Sequence, residues 1–120
     1  DTASIDSQEK AIFLAYCSQI CIGQIILKKD WNGYGWIEEL HVGRSFRGKG
    51  VGTALMEKAS QWAKEKGLYG LALEIQDNNV LACRFYAKCG FEIGAVNTML
   101  YRNFGCPWSE EIAVYWYLRF

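Results

Sequence analysis

Residues 35–63 read GWIEELHVGRSFRGKGVGTALMEKASQWA, and the period of the apolar residues changes inside that stretch. GWIEELHV (35–42) is rich in strand-favouring types. From Val51 onward the apolar side chains recur as Val51, Leu55, Ala59, Trp62 and Ala63, the stripe of an amphipathic helix. Glu57, Lys58, Lys64, Glu65 and Lys66 serve its wet faces, and Gly67 is placed to end it. LYGLALEI (68–75) then returns to strand. A strand–helix–strand unit over 35–75 implies a right-handed crossover and parallel pairing.

Working outward, the flanking segments point to antiparallel pairing. AIFLAYC (11–17) and ICIGQIILKK (20–29) are β-rich runs separated only by Ser18-Gln19, the spacing of a hairpin. Asn32-Gly33 supplies the next turn. QDNN (76–79) offers turn and N-cap residues, VLACRFYAKC (80–89) reads as a second helix, and Gly90 stops it. FEIGAVNTMLYR (91–102) and EIAVYWYLRF (111–120) read as two long strands joined by the loop NFGCPWSE. Residues 1–10 read as a flexible polar lead-in to one α+β domain, 1–120, whose mixed sheet is mostly antiparallel and flanked by helices. The chain begins at Asp1 without a methionine, so truncation at the N-terminus is expected.

Composition narrows the function classes. Thirteen basic residues balance thirteen acidic ones, which gives no broad footprint for nucleic acid or a membrane surface. No apolar run approaches the roughly 20 residues of a membrane span, and no signal-peptide pattern opens the chain. The five cysteines are odd in number and lack CxxC spacing, which leaves a metal site and a disulfide framework unsupported. Free, mostly buried thiols in a reducing cytoplasm are the expectation.

The segment GRSFRGKGVG (43–52) is a near miss for two phosphate motifs. Gly43 to Lys49 fit GxxxxGK, but Gly50 replaces the hydroxyl that would hold Mg²⁺. Gly48, Gly50 and Gly52 are spaced GxGxG, not GxGxxG. The physics common to both motifs survives: glycines let a ligand approach the backbone, and amides opening a helix accept an anion. Arg44, Arg47 and Lys49 add positive charge. The competing reading is a tight surface turn with solvated cations.

Arg47-x-x-Gly50-x-Gly52 resembles the acyl-coenzyme-A loop of the GCN5-related N-acetyltransferase family. Asn79-Val-Leu-Ala82-Cys-Arg-Phe-Tyr86-Ala-Lys-Cys-Gly90-Phe91 resembles its second helix motif, NxxAxxxYxxxGF. The resemblance implies the acyl-CoA N-acyltransferase fold, here lacking the N-terminal strand and two helices that usually wall the acceptor pocket. It implies a sheet splayed between the strands ending at Val42 and near Ile75. It also implies that acetyl-CoA lies along the backbone of Leu40, His41 and Val42, with its pyrophosphate on Arg47, Gly48, Lys49, Gly50, Val51, Gly52 and Thr53. Asn79, Ala82 and Tyr86 complete the cofactor set, and no metal is needed.

The implied chemistry is direct attack of a primary amine on the thioester, with Tyr86 protonating the leaving thiolate. Glu38 is expected to serve the amine and Glu39 to contact substrate; strand alternation predicts that they lie on opposite faces, with His41 on the Glu39 side. Glu110 and Glu111 are further candidates for holding a cationic acceptor. The resemblance extends through EIAVYWYLRF and implies a small-molecule acceptor, the β-lysine amine of streptothricin, in a cytoplasmic enzyme of antibiotic resistance. Another acceptor, such as a protein N-terminus or a polyamine, and a non-catalytic acyl-CoA-binding module are the alternatives. Trp116, Tyr115 and Tyr117 are expected to build a sheet face and a homodimer contact.

Overall fold

A computed structural model describes residues 2–6, 9–103 and 111–120, with side chains from residue 9 onward. The chain is an α+β fold with a mixed, mostly antiparallel sheet and flanking helices. It divides into two compact units, Asp1–Leu71 with Phe120, and Ala72–Arg119.

The first unit is a meander of β1 (Thr2–Asp6), β2 (Lys10–Cys17), β3 (Ile20–Lys29) and β4 (Tyr34–Val42), each antiparallel to the one before. β1 corrects the expectation of a flexible lead-in and a missing first strand: residues 2–6 pair with β2 from Thr2↔Ala15 to Asp6↔Ala11. Ladder pairing, rather than any strong local propensity in TASID, makes this segment a strand. Only residues 7–9 separate β1 from β2, too few for the two helices that usually lie there. The expected hairpin joins β2 to β3, with Ser18 and Gln19 both at positive φ (50° and 70°), the backbone that a primed two-residue turn requires.

Helix α1 (Val51–Glu65) follows a short 3-10 turn at Arg44–Phe46 and packs on one face of this meander. Its buried side chains are Leu55, Met56, Ala59, Trp62 and Ala63. The matching face of β3 is Gly23, Ile25 and Leu27; a Cβ added to Gly23 would stand 3.1 Å from Val51 and 3.2 Å from Leu55. Trp62 fills the centre, fully enclosed, and its ring lies over Gly35 of β4.

The second unit takes up β5 (Gly70–Gln76) from Ala72 and continues through α2 (Val80–Lys88), β6 (Glu92–Asn97) and β7 (Ala113–Arg119). β7 lies between β5 and β6 and pairs antiparallel with β6. β6 is much shorter than the expected 91–102, because the Asn97 side chain accepts a hydrogen bond from Met99 N at 2.9 Å and turns the chain away from the ladder. The four described cysteines are free; Cys17 and Cys21 are exposed and Cys83 and Cys89 half-buried, against the expectation of burial. The fifth, Cys106, lies outside the described residues.

The packing against α1 makes a graded prediction. Leu27 is fully buried and Ile20, on the same strand, is 65 % exposed. Leu27→Ala should cost about 2–5 kcal/mol, and Ile20→Ala no more than about 0.5 kcal/mol. Urea unfolding of the two variants reads the difference; equal losses would contradict this assignment of faces.

Candidate active site

The glycine segment becomes the entry to α1. Gly48 and Gly50 take positive φ (75° and 84°), a conformation that side-chain-bearing residues rarely adopt. A Cβ at either would meet no atom within 4 Å, so backbone conformation, not crowding, selects glycine here. Gly50 is the N-cap of α1 in a left-handed conformation and provides no capping side chain. The first helical bond runs from Ala54 N to Gly50 O, so the amides of Val51, Gly52 and Thr53 precede it and are orphan donors. The first turn carries no acidic residue, and its positive field is uncancelled.

The cations of this loop are exposed and loosely held. Arg47 donates from Nε to the Val42 carbonyl at 3.2 Å, and Lys49 Nζ stands 5.9 Å from the centre of the Phe46 ring. Both contacts leave charge available to a ligand. Orphan amides, two cations and open space above the glycines fit the pyrophosphate of acetyl-CoA.

β4 carries the carboxylates, and its register departs from the expected alternation. Ile26 pairs with Glu39 but Leu27 pairs with Ile37, so Glu38 is the extra residue of a β-bulge. Glu39 accepts a hydrogen bond from Gln24 Nε2 at 2.9 Å, which sets it on the face of β3 opposite the Ile25–Leu27 face and α1. Glu38 Oε1 lies 3.6 Å from Lys10 Nζ. Lys10 pairs with Lys28 on that same opposite face, two strands from β4, so Glu38 also points there. The bulge therefore gathers both carboxylates on one face. His41 pairs with Gln24 and joins them, as expected, while Leu40 and Val42 lie on the α1 side.

Within the second unit, Tyr86 is the buried residue of α2, 7 % exposed, with its ring edge-on to Phe85 and Phe91 at 5.3 and 5.4 Å. Burial, with a smaller contribution from Cys89, pushes its phenol up to about 12. The Asn79 side chain caps α2 by accepting from Ala82 N at 3.3 Å, which gives this residue a structural role. Glu111 is buried, and its Oε1 accepts from Asn78 Nδ2 at 2.8 Å. Glu110 lies outside the described residues.

Two residues absent from the sequence-based candidates join Glu111. Tyr101 donates its hydroxyl to Glu74 Oε1 at 2.7 Å, and burial followed by that hydrogen bond raises its phenol above the ordinary range. The available signal was Glu74 itself, the one charged residue in the apolar run LYGLALEI. Among the described residues no group of three His, Cys, Asp or Glu side chains is placed to hold a metal. None of the described helices is long and apolar enough to cross a membrane.

Residues 2–91 match the acetyltransferase (GNAT) family. Streptothricin acetyltransferase A of Bacillus subtilis is 52 % identical over 120 residues, all of this chain and 68 % of that protein. Streptothricin acetyltransferase of Escherichia coli is 41 % identical over 110 residues, 92 % of this chain and 63 % of that one. A crystal structure from Bacillus anthracis, assigned as a streptothricin acetyltransferase and solved in complex with acetyl coenzyme A, superposes with a TM-score of 0.92 at 45 % identity. That superposition covers 97 % of this chain and 65 % of the other. The chain thus spans about two thirds of the length of these relatives. By its matched residues, its glycine-led helix and these relatives, the chain belongs to the GNAT family of acetyl-CoA-dependent N-acetyltransferases.

Proposed function

We propose that this chain forms the acetyl-CoA-binding and catalytic part of a cytoplasmic N-acetyltransferase that inactivates streptothricin by acetylating its β-lysine amine. The observation that carries the cofactor half of the reading is the uncapped, acid-free start of α1 behind Gly48 and Gly50. The names of the two curated relatives support the acceptor.

Acetyl-CoA, when bound, supplies a thioester activated toward an amine. Arg47, Lys49 and the amides of Val51, Gly52 and Thr53 hold its pyrophosphate, and the strand backbone at Leu40, His41 and Val42 holds its amide-bearing arm. Asn79 contributes the amide nitrogen left over from capping α2. Tyr86 keeps its proton at Oη through the neutral and mildly alkaline range, because its phenol is held up to about 12, and it donates that proton to the departing thiolate. Glu38 receives the acceptor amine and takes its proton directly or through water. Glu39, on the same face and steadied by Gln24, orients the acceptor. Glu110 and Glu111 hold the acceptor's positive charge. The working form is a homodimer, whose test is sedimentation of the purified chain.

Purified protein should acetylate streptothricin in preference to a protein N-terminal peptide or a polyamine, read by mass spectrometry of the products. Binding of acetyl-CoA with no turnover on any amine would favour the non-catalytic module instead. Tyr86→Phe should lower kcat by about 10²-fold or more, with the acetyl-CoA Kd unchanged by calorimetry; full activity would remove Tyr86 from the mechanism. Replacing Arg47 and Lys49 together by Ala should weaken acetyl-CoA binding by about tenfold or more. That loss should shrink as salt is raised, since added ions screen the exposed charges of the unsubstituted protein.

A further inference from the structure

We infer that Glu74, Tyr101 and Glu111 build a seat for a second, non-reacting ammonium group of the acceptor, an inference that rests on the amine-acetyltransferase reading above. Glu111 is 9 % exposed; Asn78 satisfies its Oε1, but Oε2 is enclosed with no hydrogen-bond partner among the described residues. A carboxylate oxygen buried without a partner is costly, and a cation is what offsets that cost. No ion pair reaches Glu74 or Glu111 among the described residues, and residues 104–110 contain no Lys, Arg or His.

The surroundings suit an organic cation. Tyr101 donates to Glu74, which stands on β5. Tyr115 lies on β7, the neighbour of β5, and Glu111 just precedes that strand, held by Asn78 just past the end of β5. The cluster therefore brings two carboxylates and two phenol rings together, hydrogen-bond acceptors beside aromatic faces. An ammonium finds both there.

Charge logic separates this group from the reacting nitrogen. The attacking amine must shed its proton, whereas a pair of carboxylates stabilises the charged form. A group seated between Glu74 and Glu111 stays protonated through turnover and serves as a handle. The seat thus selects acceptors that carry at least two amines, as the β-lysine moiety of streptothricin does.

The test compares 1,5-diaminopentane with 1-aminopentane, alongside streptothricin, by calorimetric titration of the CoA-bound full chain and by acetylation kinetics. The wild-type protein should prefer the diamine by about tenfold or more. Glu111→Gln and Glu74→Gln should each remove most of that preference, and Glu74→Gln should leave affinity for 1-aminopentane and acetyl-CoA unchanged. Where Glu111→Gln fails to fold by thermal melting, Glu74→Gln and Tyr101→Phe carry the test, with Tyr101→Phe giving the smaller loss. Equal binding of the two amines by the wild type, or a preference untouched by the variants, would overturn the seat. Selectivity for the diamine that depends on Glu111, without acetylation of streptothricin, would instead retain the seat and remove streptothricin as the substrate. Acetylation of streptothricin with no effect of the variants would do the reverse.

Discussion

The placement of polar chemistry in the first unit depends on one extra residue in β4. A regular strand through 34–42 would keep every second side chain on α1, and Glu39 and His41 would then follow Gly35 and Ile37 into the packed face. The bulge at Glu38 shifts the register by one, so Ile37 and Leu40 both lie on the α1 side. Glu39 and His41 are thereby carried to the far face without interrupting the apolar contact of β3 with α1. The same device leaves Glu38 outside the paired positions, where its carboxylate meets Lys10. A local break in the ladder thus reconciles a continuous core with two adjacent carboxylates on one side.

Most of the architecture was legible because it is written in period. The α1 stripe was read from Val51, Leu55, Ala59, Trp62 and Ala63; the last four are buried and Val51 is half-buried. The Ser18-Gln19 hairpin and the Asn79 cap were legible for a similar reason, since turn length and capping chemistry are local. What escaped is non-local. β1 exists through its pairing with β2, the Glu38 bulge through its register with β3, and the early end of β6 through the competing Asn97 side chain. The pairing of Tyr101 with Glu74 joins residues 27 positions apart, and no spacing rule anticipates it.

The neutral balance of the chain conceals a local separation of charge. The start of α1 has cations and amide dipoles but no acid in its first turn, a composition suited to an anion. Glu38 and Glu39 occupy the face of β3 and β4 away from α1, and Glu74 and Glu111 lie in the second unit. Each is a place where an ammonium is welcome and a phosphate is not. A net charge of zero gives no broad footprint for nucleic acid, and it carries no information about two substrates of opposite charge. An enzyme that takes a polyanionic cofactor and a cationic acceptor needs this partition, and it sums to zero.

Tyr86 shows how packing and proton chemistry are joined in a single side chain. Its ring is held edge-on by Phe85 and Phe91, so the apolar surroundings that fix its position also disfavour its ionised form. Because the folded value near 12 exceeds the ordinary value of about 10, the neutral phenol stabilises the fold fully below about pH 10. That contribution is lost as pH rises through about 12. The proton is therefore retained through the neutral and mildly alkaline range. A donor to a thiolate has to be neutral when the thiolate forms and must not be drained by solvent beforehand. A histidine at this position would titrate near neutrality, and burial would favour its unprotonated state. A buried phenol meets both requirements, and Tyr86 is such a phenol, carried on a helix of nine residues.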